Sequence, residues 1–157
     1  MKTMLTRRSC LLLAALMVLT ASKSTHAQPR APDRAGPLPV VSWEALAQAQ
    51  PASRKLGADV RFPPALDQLD GRRVVLTGFM VPLEAKAEQT RFLLTAQPQD
   101  CEFCIEGGPS RYVEVRSAPL RFSGQAFTLV GRLTLLRNDP SGLFYRLVEA
   151  SQVKPGP

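Results

Sequence analysis

Two glycines, Gly78 and Gly131, each fall inside an otherwise continuous run of strand-forming residues, "RRVVLTGFMVPL" (72–83) and "QAFTLVGRLTLLR" (125–137). A lone glycine in a strand marks a bulge or a sharp coil, the device by which a sheet turns a corner and closes on itself. Three further runs, "TRFLLTA" (90–96), "RYVEVRS" (111–117) and "LFYRLVEASQV" (143–153), bring the count to five, with turn residues such as Asp70-Gly71 and "NDPSG" between them. Closure removes exposed edges, so five short strands of this kind predict a small all-β domain, an OB-like barrel with a short N-terminal helix; a β-sandwich is the alternative. Alternation places Val113 and Val115 on one face and Tyr112, Glu114 and Arg116 on the other. The expected core comprises Val74, Leu76, Leu93, Val113, Val115, Leu129, Leu133 and Val148, in strands expected to be antiparallel.

Upstream, "SWEALAQAQ" predicts a turn or two of helix, with Ser42 as N-cap, Trp43 and Leu46 on one face and Pro51 as terminator. Trp43 reads as a core plug, and this helix is a candidate cap for the barrel in place of the helix that OB folds carry between strands three and four, since "APLRFSGQ" (118–125) is a poor helix. Pro63 and Pro64 read as a break in regular structure. The expected organisation is a signal peptide over 1–27, a flexible linker over 28–41, a short helix and proline-rich lead-in over 42–68, and the OB-like β domain over 69–153.

The first 27 residues have the form of an export signal. Lys2, Arg7 and Arg8 precede the apolar run "CLLLAALMVLTA", and Thr25 and Ala27 stand at the −3 and −1 positions of a cleavage site. The run is about a dozen residues, against the roughly 20 that a spanning helix needs, so no membrane span is expected in the mature chain. Either the secretory or the twin-arginine route fits the paired arginines. A periplasmic or secreted location follows. Cys10 lies at the start of the apolar run and would leave with the signal.

Cleavage would remove four of the 20 basic residues and none of the 13 acidic ones, taking the net charge from +7 to +3. So modest a balance calls for no nucleic acid partner. A nucleic-acid reading of the OB barrel would need arginines such as Arg72, Arg73, Arg111, Arg116 and Arg132 to share one flat face with Tyr112 and Phe79. His26, the single histidine, would also leave. Ser-His-Asp and Cys-His catalysis, His-based zinc sites and His switching all lack their central side chain in such a chain. Catalysis would then rest on carboxylates, lysine, tyrosine or thiol.

The chemistry-bearing stretch is "QDCEFCIEGGPS" (99–110), with Cys101 and Cys104 spaced Cys-x-x-Cys. Outside the cytoplasm such thiols usually oxidise, and the spacing lets the sulfurs meet across a turn. Metal is the competing reading: two thiolates suit zinc or copper(I), with Asp100, Glu102 or Glu106 as auxiliary ligands, but one Cys pair supplies only half a tetrahedral zinc site. A thioredoxin-like role is disfavoured because "IEGGPS" breaks helix and the neighbouring acids raise thiol pKa values. Gly107, Gly108 and Pro109 read as the residues that turn the chain into the third strand.

"LDGRRVVLTGFMVPLE" and "FLLTAQPQDCEFCIEGGPSRYVEV" together resemble the exported bacterial family catalogued as domain of unknown function 3299. The likeness rests on Leu-Asp-Gly-x-x-Val, Gly-aromatic-x-x-Pro-Leu and Phe-Leu-Leu before a cysteine loop, and covers Leu69 to Val115. It implies an exported β domain. Cys104 matches the family cysteine, whereas Glu106 stands where relatives carry histidine and Cys101 is an addition.

These observations point to a small exported, non-catalytic binding or accessory protein, linked to an envelope protein partner or to a metal ion in handling or transport. A thiol-disulfide redox protein is the alternative.

Overall fold

A computed structural model describes residues 36–55, 58–98 and 108–153. Its centre is a closed barrel of β3 (Arg73–Pro82), β4 (Glu88–Thr95), β5 (Tyr112–Arg121), β6 (Phe127–Leu135) and β7 (Tyr145–Gln152), in the order β3-β4-β5-β7-β6 and back to β3. This is the small all-β OB-like barrel that the strand pattern predicts. The strands are not all antiparallel as expected: β5 and β7 run parallel, with Glu114 opposite Arg146 and Val115 opposite Leu147. Five strands in a ring cannot alternate direction all the way round, so closure forces one parallel pair.

Gly78 is where β3 changes partners. Arg73 to Gly78 pair with β6, and Phe79 to Pro82 pair with β4. A Cβ at Gly78 would come within 2.5 Å of the Thr95 carbonyl oxygen and 2.9 Å of Leu94 Cγ, so the corner closes only on a residue without a side chain. The second corner lies at Gly131, where the β6–β7 register shifts and a Cβ would meet Leu147 Cγ at 2.7 Å.

The core follows the alternation, with Val74, Leu76, Val113, Val115, Leu129 and Leu133 almost wholly buried. Two expectations change. Val148 is only half-buried, and Tyr145, Leu147 and Ala150 fill the core instead. The parity flips at Glu149 (φ 52°), an extra β7 residue where Arg132 pairs with Val148 but Val130 pairs with Ser151. Leu93 is buried, but on the outer face opposite Glu114, while its neighbours Phe92 and Leu94 point inward.

The segment before the barrel supplies part of the same core. Helix α1 (Trp43–Leu46) is capped by Ser42, whose Oγ accepts from Ala45 N at 3.2 Å. Trp43 Nε1 donates to the Thr77 carbonyl at 2.8 Å, and the Tyr145 hydroxyl donates to the Leu46 carbonyl at 2.6 Å in a buried bond. Leu46 is fully buried, a contribution of about 2 kcal/mol for a leucine side chain. Val41 N and Val75 N exchange bonds with the Val75 and Pro39 carbonyls, which covers the free edge of β3. Two short strands, β1 (Gln50–Pro51) and β2 (Val60–Arg61), form a separate pair.

Pro63 and Pro64 do not break regular structure. They open helix α2 (Pro64–Asp67), because a proline at the first helical position loses no intrahelical bond. No helix lies between β5 and β6, which are joined by residues 122–126, and α1 packs on the barrel core through Leu46 and Trp43.

Candidate functional site

Asp100, Cys101, Glu102, Cys104, Glu106 and Gly107 lie outside the described residues. Both shoulders of their segment are described. It leaves β4 at Thr95 and enters β5 at Tyr112, and these two residues are cross-strand partners. Thr95 is buried, and its hydroxyl donates to the Gln97 carbonyl at 2.8 Å. On the return side Gly108 has φ 76°, a conformation that favours glycine, and Pro109 opens a 3₁₀ turn over Pro109–Arg111 in which Arg111 N donates to the Gly108 carbonyl at 3.0 Å.

Beside these shoulders the outer face of β4, β5 and β7 carries a charged cluster. Register assembles it: Leu93 is opposite Glu114, Arg91 is opposite Arg116, and Glu114 is opposite Arg146. Glu114 points away from the barrel core yet has no exposed surface. Arg91 Nε donates to Glu114 Oε1 at 2.6 Å, Arg146 Nε donates to Glu114 Oε2, and Arg116 Nη2 lies 3.6 Å from Oε1. Arg146 Nη2 is also 3.7 Å from Asp139 Oδ2 on the loop before β7. Burial alone would push the Glu114 carboxyl up; the hydrogen bonds from Arg146 and Arg91 and the charges of Arg146 and Arg116 outweigh it and hold the group below the ordinary carboxylate range.

Arg91 and Glu114 of this cluster line the floor of an open cleft of about 390 Å³. Its apolar walls are Leu83, Leu93, Tyr112 and Leu143, with Gly108 at the cysteine-loop end and Ser141 on the β6–β7 loop. Leu83 is 45 % exposed and offers apolar surface at the cleft mouth. Burial pushes the Tyr112 hydroxyl up, so it stays protonated. A second, smaller cleft of about 240 Å³ lies behind the same loop, between Leu143, Pro109, Arg54 and Lys55.

Strand alternation put Tyr112, Glu114 and Arg116 together, and the structure keeps them so. It missed Arg91, Arg146, Leu83 and Leu143, which come from three other segments and carry no local signature. The arginines that a nucleic-acid face would need do not assemble: Arg132 donates to the Gly71 carbonyl at 2.7 Å and lies 3.6 Å from Glu149, whereas Arg116 belongs to the Glu114 cluster. Among the described residues no group of three or more His, Cys, Asp and Glu side chains is placed to hold a metal ion, and no helix is long and apolar enough to cross a membrane.

No family model and no curated protein matches the sequence. Among solved structures, the chain is similar to the crystal structure of a DUF3299 family protein from Pseudomonas aeruginosa PAO1, at 19 % identity and a TM-score of 0.49, over 78 % of this chain and 100 % of that one. That protein is of the family that the Leu69 to Val115 motifs resemble.

Proposed function

We propose that this chain is a small exported, non-catalytic binding or accessory protein that works in the periplasm or outside the cell, through the barrel face flanked by the cysteine loop. The observation that carries the reading is the open cleft between Leu83, Tyr112 and Leu143 over the Glu114 cluster. A binding role suits its chemistry better than a catalytic one. Glu114 is fully buried and already engaged by Arg91 and Arg146, and its lowered pKa keeps it ionised, so it is a poor proton donor at neutral pH. OB barrels commonly bind ligands on this second and third strand face and its bordering loops, an analogy of fold that supports the location and not the ligand.

The cysteine loop enters at the rim of that face. In an oxidising compartment Cys101 and Cys104 join as a disulfide that shapes the rim. If the thiols stay reduced, they hold zinc or copper(I) with Asp100, Glu102 or Glu106, and the protein serves metal handling or transport. Intact mass with elemental analysis of protein isolated from its native compartment separates the forms: a loss of two hydrogens marks the disulfide, and stoichiometric metal marks the thiolate site. The binding role is tested by photo-crosslinking in cells from position 112 and position 143, with position 40, exposed beside β3, as control. Discrete adducts from the two cleft positions are expected, and equal or absent adducts at all three would sink the reading.

A further inference from the structure

Resting on that binding reading, we infer that the cleft takes the oxyanion headgroup, carboxylate or phosphate, of a small amphipathic ligand, received by Arg91 on the cleft floor together with Arg116, its cross-strand neighbour, and steadied by Arg146 and Glu114. The charge count is the first reason. Among the described residues three guanidinium groups meet two carboxylates, Glu114 and Asp139, and Glu84, which also acts on Arg91, is paired with Lys86, so one cation is in excess. A purely structural ion pair needs one guanidinium for its carboxylate, and further like charges packed beside it cost repulsion. A single bound oxyanion balances the set.

Geometry is the second reason. Arg91 and Arg146 both commit Nε to Glu114, which fixes each guanidinium plane. The Arg91 and Arg116 side chains remain 58 % and 52 % exposed, so the carboxylate beneath orients them without consuming them. A planar fork held in place before binding loses little rotamer freedom when a carboxylate or phosphate arrives. Glu114 acts as a positioning residue, ionised across the neutral range.

The walls are the third reason. Leu83, Leu143 and Tyr112 line the same cleft as Arg91, so a ligand whose charge meets Arg91 lays its remaining body on apolar surface. The same count argues against a polyanion. One excess charge suits one headgroup, and elsewhere on the barrel Arg132 and Arg137 are paired with Glu149 and Asp67.

The test is titration of the isotope-labelled protein, followed by backbone amide and arginine Nε–H resonances, with octyl phosphate, octanoate, octanol and a short thymidine oligonucleotide. Octyl phosphate or octanoate should saturate, move the Arg91 and Arg146 Nε–H signals together with the Gly108, Tyr112 and Leu143 amides, and bind at least about tenfold tighter than octanol. The stronger of the two anions identifies the headgroup. Arg116→Gln should weaken binding by about tenfold with its thermal midpoint nearly unchanged, since Arg116 makes only the long 3.6 Å contact. Arg91→Gln should do the same, its fold checked by amide dispersion. Equal affinity for octanol would overturn the oxyanion assignment and leave the apolar cleft as a binding face. Absence of any shift, an unaffected Arg116→Gln variant, or tighter binding of the oligonucleotide than of octyl phosphate would overturn it as well; loss of cleft-specific crosslinks is the separate result that removes the binding reading.

Discussion

Arg91 and Glu114, on neighbouring antiparallel strands, meet through a 2.6 Å Nε to Oε1 hydrogen bond on the outside of the barrel, yet the carboxylate is completely shielded from water. Shielding comes from the donors themselves, together with Leu93 alongside. A charge on the outer face of a strand is ordinarily solvated and worth little. Here it holds three strands in register, because β4 contributes Arg91, β5 contributes Glu114 and β7 contributes Arg146.

Glu114→Ala should therefore destabilise the protein by about 2–4 kcal/mol, near the lower part of the range for broken buried pairs because Arg91 and Arg116 can regain water. Urea unfolding measures it. A loss under ~0.5 kcal/mol would show that the cluster does not support the fold.

The same carboxylate sets an acid limit. Its folded pKa lies below the unfolded value of about 4.3, so its contribution is fully present above that value and is lost as pH falls through the folded pKa. Stability of the wild-type protein should fall more steeply below pH ~4.3 than that of Glu114→Gln, which has no proton to take up. Parallel pH profiles for the two proteins would contradict the lowered pKa.

Gly78→Ala should cost about 2–3 kcal/mol, since the added methyl would stand 2.5 Å from the Thr95 carbonyl and 2.9 Å from Leu94 Cγ at the strand corner. Gly124→Ala, which meets nothing within 4 Å, is the matched control and should change stability little. Chemical denaturation measures both, and equal midpoints for the two variants would contradict a tight corner at Gly78.

Tyr145→Phe removes the buried hydroxyl that donates to the Leu46 carbonyl at 2.6 Å and leaves that acceptor without its partner, a loss of about 1–3 kcal/mol. The effect should appear at α1. Trp43, the single tryptophan, packs on the core and reports its docking, so a red-shifted emission should accompany the lower midpoint. Unchanged emission with unchanged stability would mean that the bond is dispensable.

Glu149 holds φ 52° at the β7 bulge, where glycine is more comfortable, and its exposed contact to Arg132 is a long 3.6 Å. Glu149→Gly should raise stability by up to about 1 kcal/mol. A lower thermal midpoint would show instead that the ion pair or the side chain's packing outweighs the strain.

The five barrel strands, the corner glycines, the faces of Tyr112 to Arg116 and of Leu129 and Leu133, and the capped helix at Ser42 were legible in the order of residues alone, whereas the short β1 and β2 were not. The legible features are local: alternation has a period of two wherever a strand forms, and a cap needs only a residue and the amides that follow it. The remainder arises only when the strands pair. Val148 misread as core because an extra residue at Glu149 flips the parity of β7, and a bulge is visible only against the partner strand. The parallel pairing of β5 with β7 follows from closing an odd ring. Glu114 was placed correctly on the outer face, but its burial depends on Arg91, 23 residues earlier, and Arg146, 32 residues later. No run of neighbouring letters announces such a cluster, because strands far apart in the chain bring its charges together only once the barrel has closed.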